Sequence, residues 1–254
     1  MREWRRGTTP LLLLHGFMGS AEEWGDLPEG LEGMWVAAVD LPGHGRSEGE
    51  PSPERYRVPR IAREMGRLQE VLFGEPAAWL GYSMGGRIAL SAAAQGVPMR
   101  MLLLESASPG LQDPAARQAR RERDEETARR LMEEGMSRFV DHWLGLPLFQ
   151  GLRRVPEEPR EHARRIRSAQ DPAQMAAWLR GGGTGTQPSY WDDLHQLRVP
   201  VRLLAGEADE KFRDLAVRMA ALLPDARLTL LRGAGHLPHL ETPEAWVDWI
   251  RSAL

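Results

Sequence analysis

The chain has 254 residues, 42% hydrophobic and 27% charged, with a formal net charge of −3 and no cysteine. That length supports one sizeable α/β core, while the charge argues against general nucleic-acid binding and the absent thiols exclude a disulfide framework or thiolate metal site. No apolar run approaches the ~20 residues of a membrane helix.

The first residues, Met1 to Arg6, are charged, and the apolar tetrad Leu11–Leu14 is too short for a signal-peptide core, so a cytoplasmic protein is expected. Leu11–Leu14, closed by His15-Gly16, reads as a buried parallel strand. Whether strands precede it stays open. Met34–Val39, Ala77–Leu80 and Met101–Leu104 read as further strands, with helical spacing over Ile61–Phe73 and Arg87–Gln95 between them. Residues 111–190 change character: helical in pattern, dense in arginine and glutamate, broken by prolines, and closed by a glycine-rich return at Gly181–Gly185. Strand patterning resumes at Val199–Ala205 and Arg227–Leu231, followed by a closing helix from Pro243. The fold class is therefore α/β, with a doubly wound, mostly parallel sheet. Its core is expected from residues 1–110 and 191–254, with an inserted helical cap over 111–190.

Gly81-Tyr82-Ser83-Met84-Gly85 matches G-x-S-x-G between a predicted strand and a predicted helix, the setting that stands a serine hydroxyl at the tip of a sheet. Without that setting the match would be a glycine-rich turn with an incidental serine. Such a serine needs a base, and the base an orienting acid, in the order serine, acid, histidine. Asp209 follows the sixth strand and His236 the last one, each where a loop leaves the carboxyl end of a strand. Ser83, Asp209 and His236 are the candidate catalytic residues. His15 and His44 lie in glycine-rich loops and read as structure; His142, His162, His195 and His239 read as surface or packing residues. The amides of Phe17, in the loop after the first strand, and Met84, after the nucleophile, are the candidate oxyanion hole. Arg87 lies four residues after Ser83, on the same helix face. A cation in a helix's first turn opposes the macrodipole by ~0.3–1 kcal/mol, and a bound anion would reverse that sign. The alternative is an ordinary surface ion pair.

Six stretches carry a more specific likeness: HGFMGSAEEW at 15–24, GYSMGGRIAL at 81–90, SPGLQ at 108–112, GTGTQPSYWDDL at 183–194, GEADEKF at 206–212 and GAGHLPHLETPE at 233–244. With them the whole chain resembles the α/β-hydrolase superfamily, and within it the 2-succinyl-6-hydroxy-2,4-cyclohexadiene-1-carboxylate synthases of menaquinone biosynthesis. The resemblance implies a lyase that eliminates pyruvate from 2-succinyl-5-enolpyruvyl-6-hydroxy-3-cyclohexene-1-carboxylate. It further implies that Tyr82, Arg87, Arg120, Trp143, Arg167 and Lys211 line a pocket for this multi-carboxylate substrate. Arg121 and Arg123 compete with Arg120 for that place, and an arginine run among glutamates is ordinarily a solvated helical face. Lys211 is the only lysine in the chain; it is either a solvated surface residue or a compact ammonium chosen where a planar guanidinium could not turn.

No metal or organic cofactor is implied, no nucleic-acid or membrane partner is expected, and a monomer is expected. Two other functions fit the same residues: a small-molecule carboxylesterase on the same fold, and a non-catalytic ligand-binding module that uses the cap pocket.

Overall fold

Leu11–Leu14 are fully buried, and their alternation sends Leu12 and Leu14 into one core and Leu11 and Leu13 into a second on the opposite face. An apolar run without polar alternation is what a strand covered on both sides requires. The computed structural model describes residues 1–254. Its strands are β1 (Arg2–Arg5), β2 (Gly7–Leu14), β3 (Gly33–Val39), β4 (Ala78–Tyr82), β5 (Met101–Glu105), β6 (Val201–Gly206) and β7 (Ala226–Leu231). They form one sheet in the order β1-β3-β2-β4-β5-β6-β7; only the β1–β3 pair is antiparallel. A strand does precede the leucine run. It forms the sheet edge, with Trp4 opposite Val36.

Helices α1 (Val58–Phe73) and α2 (Met84–Ala94) cross between the early strands. α1 stops at Gly74, whose φ of 68° is the left-handed cap conformation that glycine adopts without strain. Between β5 and β6 the chain is helical: α3 (Pro114–Glu134), α4 (Met136–Leu144), α5 (Glu157–Ser168) and α6 (Pro172–Gly182). Asp113 and Asp171 cap α3 and α6, and each is followed by a proline at the first helical position, which needs no amide partner there. The chain returns to β6, which begins at Val201, because Pro200 has no amide to give the ladder; its carbonyl still accepts from Leu102 at 2.9 Å. α7 (Glu210–Leu222), α8 (Pro238–Glu241) and α9 (Pro243–Ala253) complete the fold. No helix is long and apolar enough to cross a membrane.

The helical segment shares a hydrophobic core with the sheet side, where Trp178 stacks on Tyr56, and polar side chains fix its placement further. Trp178 donates to the Pro42 carbonyl at 2.7 Å, and Gln170 bridges the Gly19 carbonyl (3.2 Å) and the Gly45 amide (2.9 Å). At Gly181 a Cβ would collide with the Pro53 carbonyl, so the glycine-rich end of α6 permits a backbone contact that no other residue allows.

Candidate active site

Ser83 sits between β4 and α2 with φ 48° and ψ −103°, a left-handed setting that non-glycine residues rarely take. Such a residue is strained by about 1–3 kcal/mol and persists only when its surroundings hold it. Here the Ser83 amide donates to the Glu105 carbonyl (2.8 Å) and its own carbonyl accepts from the Arg87 amide (3.1 Å). The glycines of the motif permit the turn by close approach: a Cβ on Gly85 would strike the Leu14 carbonyl. Asp209 caps α7, its Oδ1 accepting from the Phe212 amide at 3.3 Å. Its Oδ2 accepts from His236 Nδ1 at 2.6 Å, and His236 Nε2 accepts from Ser83 Oγ at 3.2 Å. Tyr82, Phe149 and Phe212 pack around the imidazole, with ring centroids 5.6, 5.8 and 4.5 Å away. The arrangement can draw a proton from the serine hydroxyl and hold the resulting imidazolium beside a carboxylate.

The loop after β2 is braced by two other histidines. His15 Nε2 accepts from the Leu41 amide (3.0 Å), and His44 Nε2 accepts from the Met18 amide (3.2 Å). Burial lowers both pKa values, that of His44 strongly, so both rings are held in the neutral form that can accept. The Phe17 amide between them makes no hydrogen bond within the chain. The Met84 amide opens α2, where first-turn N–H groups have no intrahelical acceptor.

Ser83 and His236 open into a cavity of about 510 Å³. Phe17, Tyr82, Met84, Arg87, Arg120, Trp143, Arg167 and Lys211 all line it; Asp209 stands behind His236 and lines a second cavity of about 410 Å³. Of the three competing arginines on α3, Arg120 faces the cavity. Arg121 instead donates to the Gly185 carbonyl (3.0 Å), and Arg123 to the Ala119 carbonyl (3.3 Å) on its own helix. Trp143, on α4, stacks on Phe139 and meets Phe17 edge-on, with centroids 5.7 and 5.6 Å away. Tyr82 packs against His239 at 4.7 Å, and burial drives its phenol well above its ordinary pKa, so it remains neutral.

The cations divide into two kinds. Arg120 is paired with buried Asp124 at 2.8 Å, and Arg167, itself buried, with buried Glu23. Glu23 Oε2 also accepts from the Gly16 amide at 3.3 Å, so the pair joins α5 to the loop that presents Phe17. Burial alone would raise the Glu23 pKa; the Arg167 guanidinium and its neighbours outweigh this and hold it below the carboxylate range. Arg87 has no acidic partner. Its Nη1 donates to the Gly182 carbonyl (2.7 Å) and to Gln187 Oε1 (2.9 Å), both neutral. Desolvation and the nearby Arg120 push its pKa down to about 10, which leaves it charged at neutral pH. Lys211 has no acidic partner either, although it is accessible at the cavity mouth. The protein packed around its ammonium, and then Arg120, lower its pKa.

The sequence reading did not single out Gln187, Glu23, Asp124 or Arg218. Gln187 lies inside the 183–194 stretch and fixes Arg87; Arg218 lines the cavity seven residues after Lys211, a spacing that was available as a signal.

The alpha/beta hydrolase family matches residues 11–249. The 2-succinyl-6-hydroxy-2,4-cyclohexadiene-1-carboxylate synthase of Salmonella typhimurium is 35% identical over 250 residues, covering 98% of this chain and 94% of that protein. Among solved structures, MenH from S. aureus matches with a TM-score of 0.94 at 34% identity, over 99% of this chain and 96% of its own. A thermophilic esterase from Thermogutta terrifontis, solved with malate bound, matches with a TM-score of 0.83 at 26% identity, over 99% and 92%.

Proposed function

This chain belongs to the alpha/beta hydrolase family, and within it we propose that it is a carbon–oxygen lyase, a 2-succinyl-6-hydroxy-2,4-cyclohexadiene-1-carboxylate synthase. One observation carries the reading: a Ser-His-Asp relay opens into a cavity whose Arg87 and Lys211 no protein carboxylate neutralises. The similarity to the Salmonella synthase over nearly the full length of both chains supports it.

The substrate, 2-succinyl-5-enolpyruvyl-6-hydroxy-3-cyclohexene-1-carboxylate, carries three carboxylates: one on the ring, one on the succinyl arm and one on the enolpyruvyl group. Unpaired cations in a partly desolvated cavity bind such an anion strongly, because charge-assisted hydrogen bonds are about twice as strong as neutral ones. Ser83, deprotonated by His236, removes the proton beside the succinyl ketone. The ketone oxygen takes up the charge facing the amides of Phe17 and Met84. Electrons then pass through the ring and break the carbon–oxygen bond to enolpyruvate. The proton held on His236 balances the one taken up as enolpyruvate becomes pyruvate, and no water is consumed. The buried pair Arg167–Glu23 holds the oxyanion loop, and Trp143 and Tyr82 supply apolar walls. In this reading residues 111–190 act as the cap over the core, and the protein works as a cytoplasmic monomer.

A serine esterase is the second reading, favoured by the likeness to the Thermogutta enzyme. A coupled pyruvate assay with the enolpyruvyl substrate, run beside hydrolysis of a p-nitrophenyl ester, separates the two. Rapid pyruvate release with feeble ester cleavage is expected; ester cleavage without pyruvate would replace the lyase with the esterase.

A further inference from the structure

Helix α7 turns one stripe toward the cavity. Lys211, Asp214, Leu215 and Arg218 all line it, at the spacing of three, four and seven residues that places side chains on one helical face. Asp214 is engaged by Arg213 at 3.1 Å, whereas neither Lys211 nor Arg218 has a carboxylate partner. The Arg218 guanidinium lies over the Trp191 ring, 4.2 Å from its centroid. Trp191 is itself buried and fixed, its Nε1 donating to the Gly110 carbonyl at 3.0 Å. Stacking engages the flat face of the guanidinium and leaves its N–H edge free, the edge that meets a carboxylate in two parallel hydrogen bonds. Seven residues of helix place Arg218 about 10 Å further along the axis than Lys211, and further from Asp209, which starts the helix.

We propose that Arg218 is a specificity-determining residue that binds one of the substrate carboxylates, at the far end of the α7 stripe from Lys211. The proposal rests on the lyase reading, and it completes a match of number: three carboxylates on the substrate, and three cavity cations, Arg87, Lys211 and Arg218, that lack an acidic partner. Stacking on Trp191 holds the guanidinium in place before the ligand arrives, so little side-chain freedom is lost on binding.

The test is a calorimetric titration of the intact enolpyruvyl tricarboxylate into the Ser83→Ala protein, with and without Arg218→Gln, alongside steady-state pyruvate release by the proteins with Ser83 intact. Arg218→Gln is expected to weaken Kd about tenfold, equivalent to ~1.4 kcal/mol. It should raise KM by a similar factor while kcat stays within about twofold, and both penalties should shrink at high salt. Arg218→Lys should recover part of the binding. An unchanged Kd, or a fall in kcat without a rise in KM, would overturn the assignment. Should the protein with Ser83 intact release no pyruvate, the lyase reading falls, yet the titration still judges Arg218 independently. Should the tricarboxylate fail to bind the Ser83→Ala protein, the Arg218 proposal falls too.

Discussion

The two sides of the cavity are built by different means. On the sheet side, Ser83, His236 and Phe17 stand in turns and loops after the carboxyl ends of strands, Met84 opens the helix that follows Ser83, and backbone turns set their positions within a residue or two. The strained φ of Ser83 and the bare glycines around it are local devices of this kind. On the helical side, the charged groups sit at the ends of long side chains on α2, α3, α5 and α7, and the places of Arg87 and Arg167 depend on partners far away in sequence. Arg167 and Glu23 are 144 residues apart, and Arg87 and Gln187 are 100 apart. Chemistry needing sub-ångström placement is supplied by backbone turns, and recognition of a flexible, charged substrate by side chains on packed helices.

The difference can be broken most sharply at Ser83. If the sheet side supplies the chemistry, Ser83→Ala should lower pyruvate release by about 10⁴-fold or more, the order lost when a nucleophile of such a relay is removed. The melting temperature should move little, since the hydroxyl's only partner is His236. A melting temperature that fell along with activity would assign the serine to the fold instead.

Arg167 probes the other side. Arg167→Met leaves the Glu23 carboxylate buried without its partner, which costs about 3–5 kcal/mol of stability and should show in the urea midpoint. Arg167→Met with Glu23→Gln should recover most of that loss, because no uncompensated charge remains. Equal destabilisation in both variants would mean that the ion pair is not what fastens α5 to the oxyanion loop.

The same contrast explains what could be read from the chain alone. The sheet side was legible because strained turns demand glycine beside the functional residue, and this compresses the geometry into short contiguous stretches such as Gly81–Gly85 and Gly233–His236. Strand positions followed from apolar runs covered on both faces; most ends differed by a residue or two, where Pro200 or a turn decided the first paired amide, but β2 starts at Gly7, four residues before the leucine run, because the polar Gly7–Thr9 stretch already pairs with β3. β1 was not legible. Its residues Arg2–Arg5 alternate half-buried and exposed at a sheet edge, and carry no apolar run. The helical side was legible in type but not in detail. α3 carries charge on every face, so no stripe separated Arg120 from Arg121 and Arg123; only the Gly185 carbonyl and Asp124, both distant or acidic neighbours, sort them. Arg218 was missed for the opposite reason. It stands alone, seven residues beyond Lys211 and outside the 206–212 stretch, and only the helical period ties it to that lysine.

A more moderate effect is expected at Arg87. Arg87→Met removes a charged donor from the Gly182 and Gln187 oxygens and an unpaired cation from the cavity. Hydrogen bonds to charged groups contribute about 1.5–3 kcal/mol, so kcat/KM for the tricarboxylate should fall by roughly 10- to 150-fold. An unchanged kcat/KM would return Arg87 to a purely structural place.

The gentlest test concerns a buried pair that the chemistry does not touch. His239 donates from Nδ1 to Glu105 Oε1 at 2.7 Å, and Trp246 donates to the other oxygen of Glu105 at 2.8 Å. Burial lowers the His239 pKa, but Glu105 and then Glu23 outweigh that, with Arg167 opposing them, and the net direction is upward. A histidine raised on folding binds its proton more tightly in the native state than in the unfolded one. Its contribution is therefore complete below the unfolded value near 6.5, and drains away as pH climbs through the higher native value. Urea unfolding between pH 6 and pH 9 should thus show stability falling with pH, with a slope from this one proton of at most ~1.4 kcal/mol per pH unit. His239→Gln should flatten that part of the profile. If the variant keeps the full slope, the proton that matters lies elsewhere, and the Glu105 carboxylate beneath the serine turn is held by Trp246 and the His239 backbone amide alone.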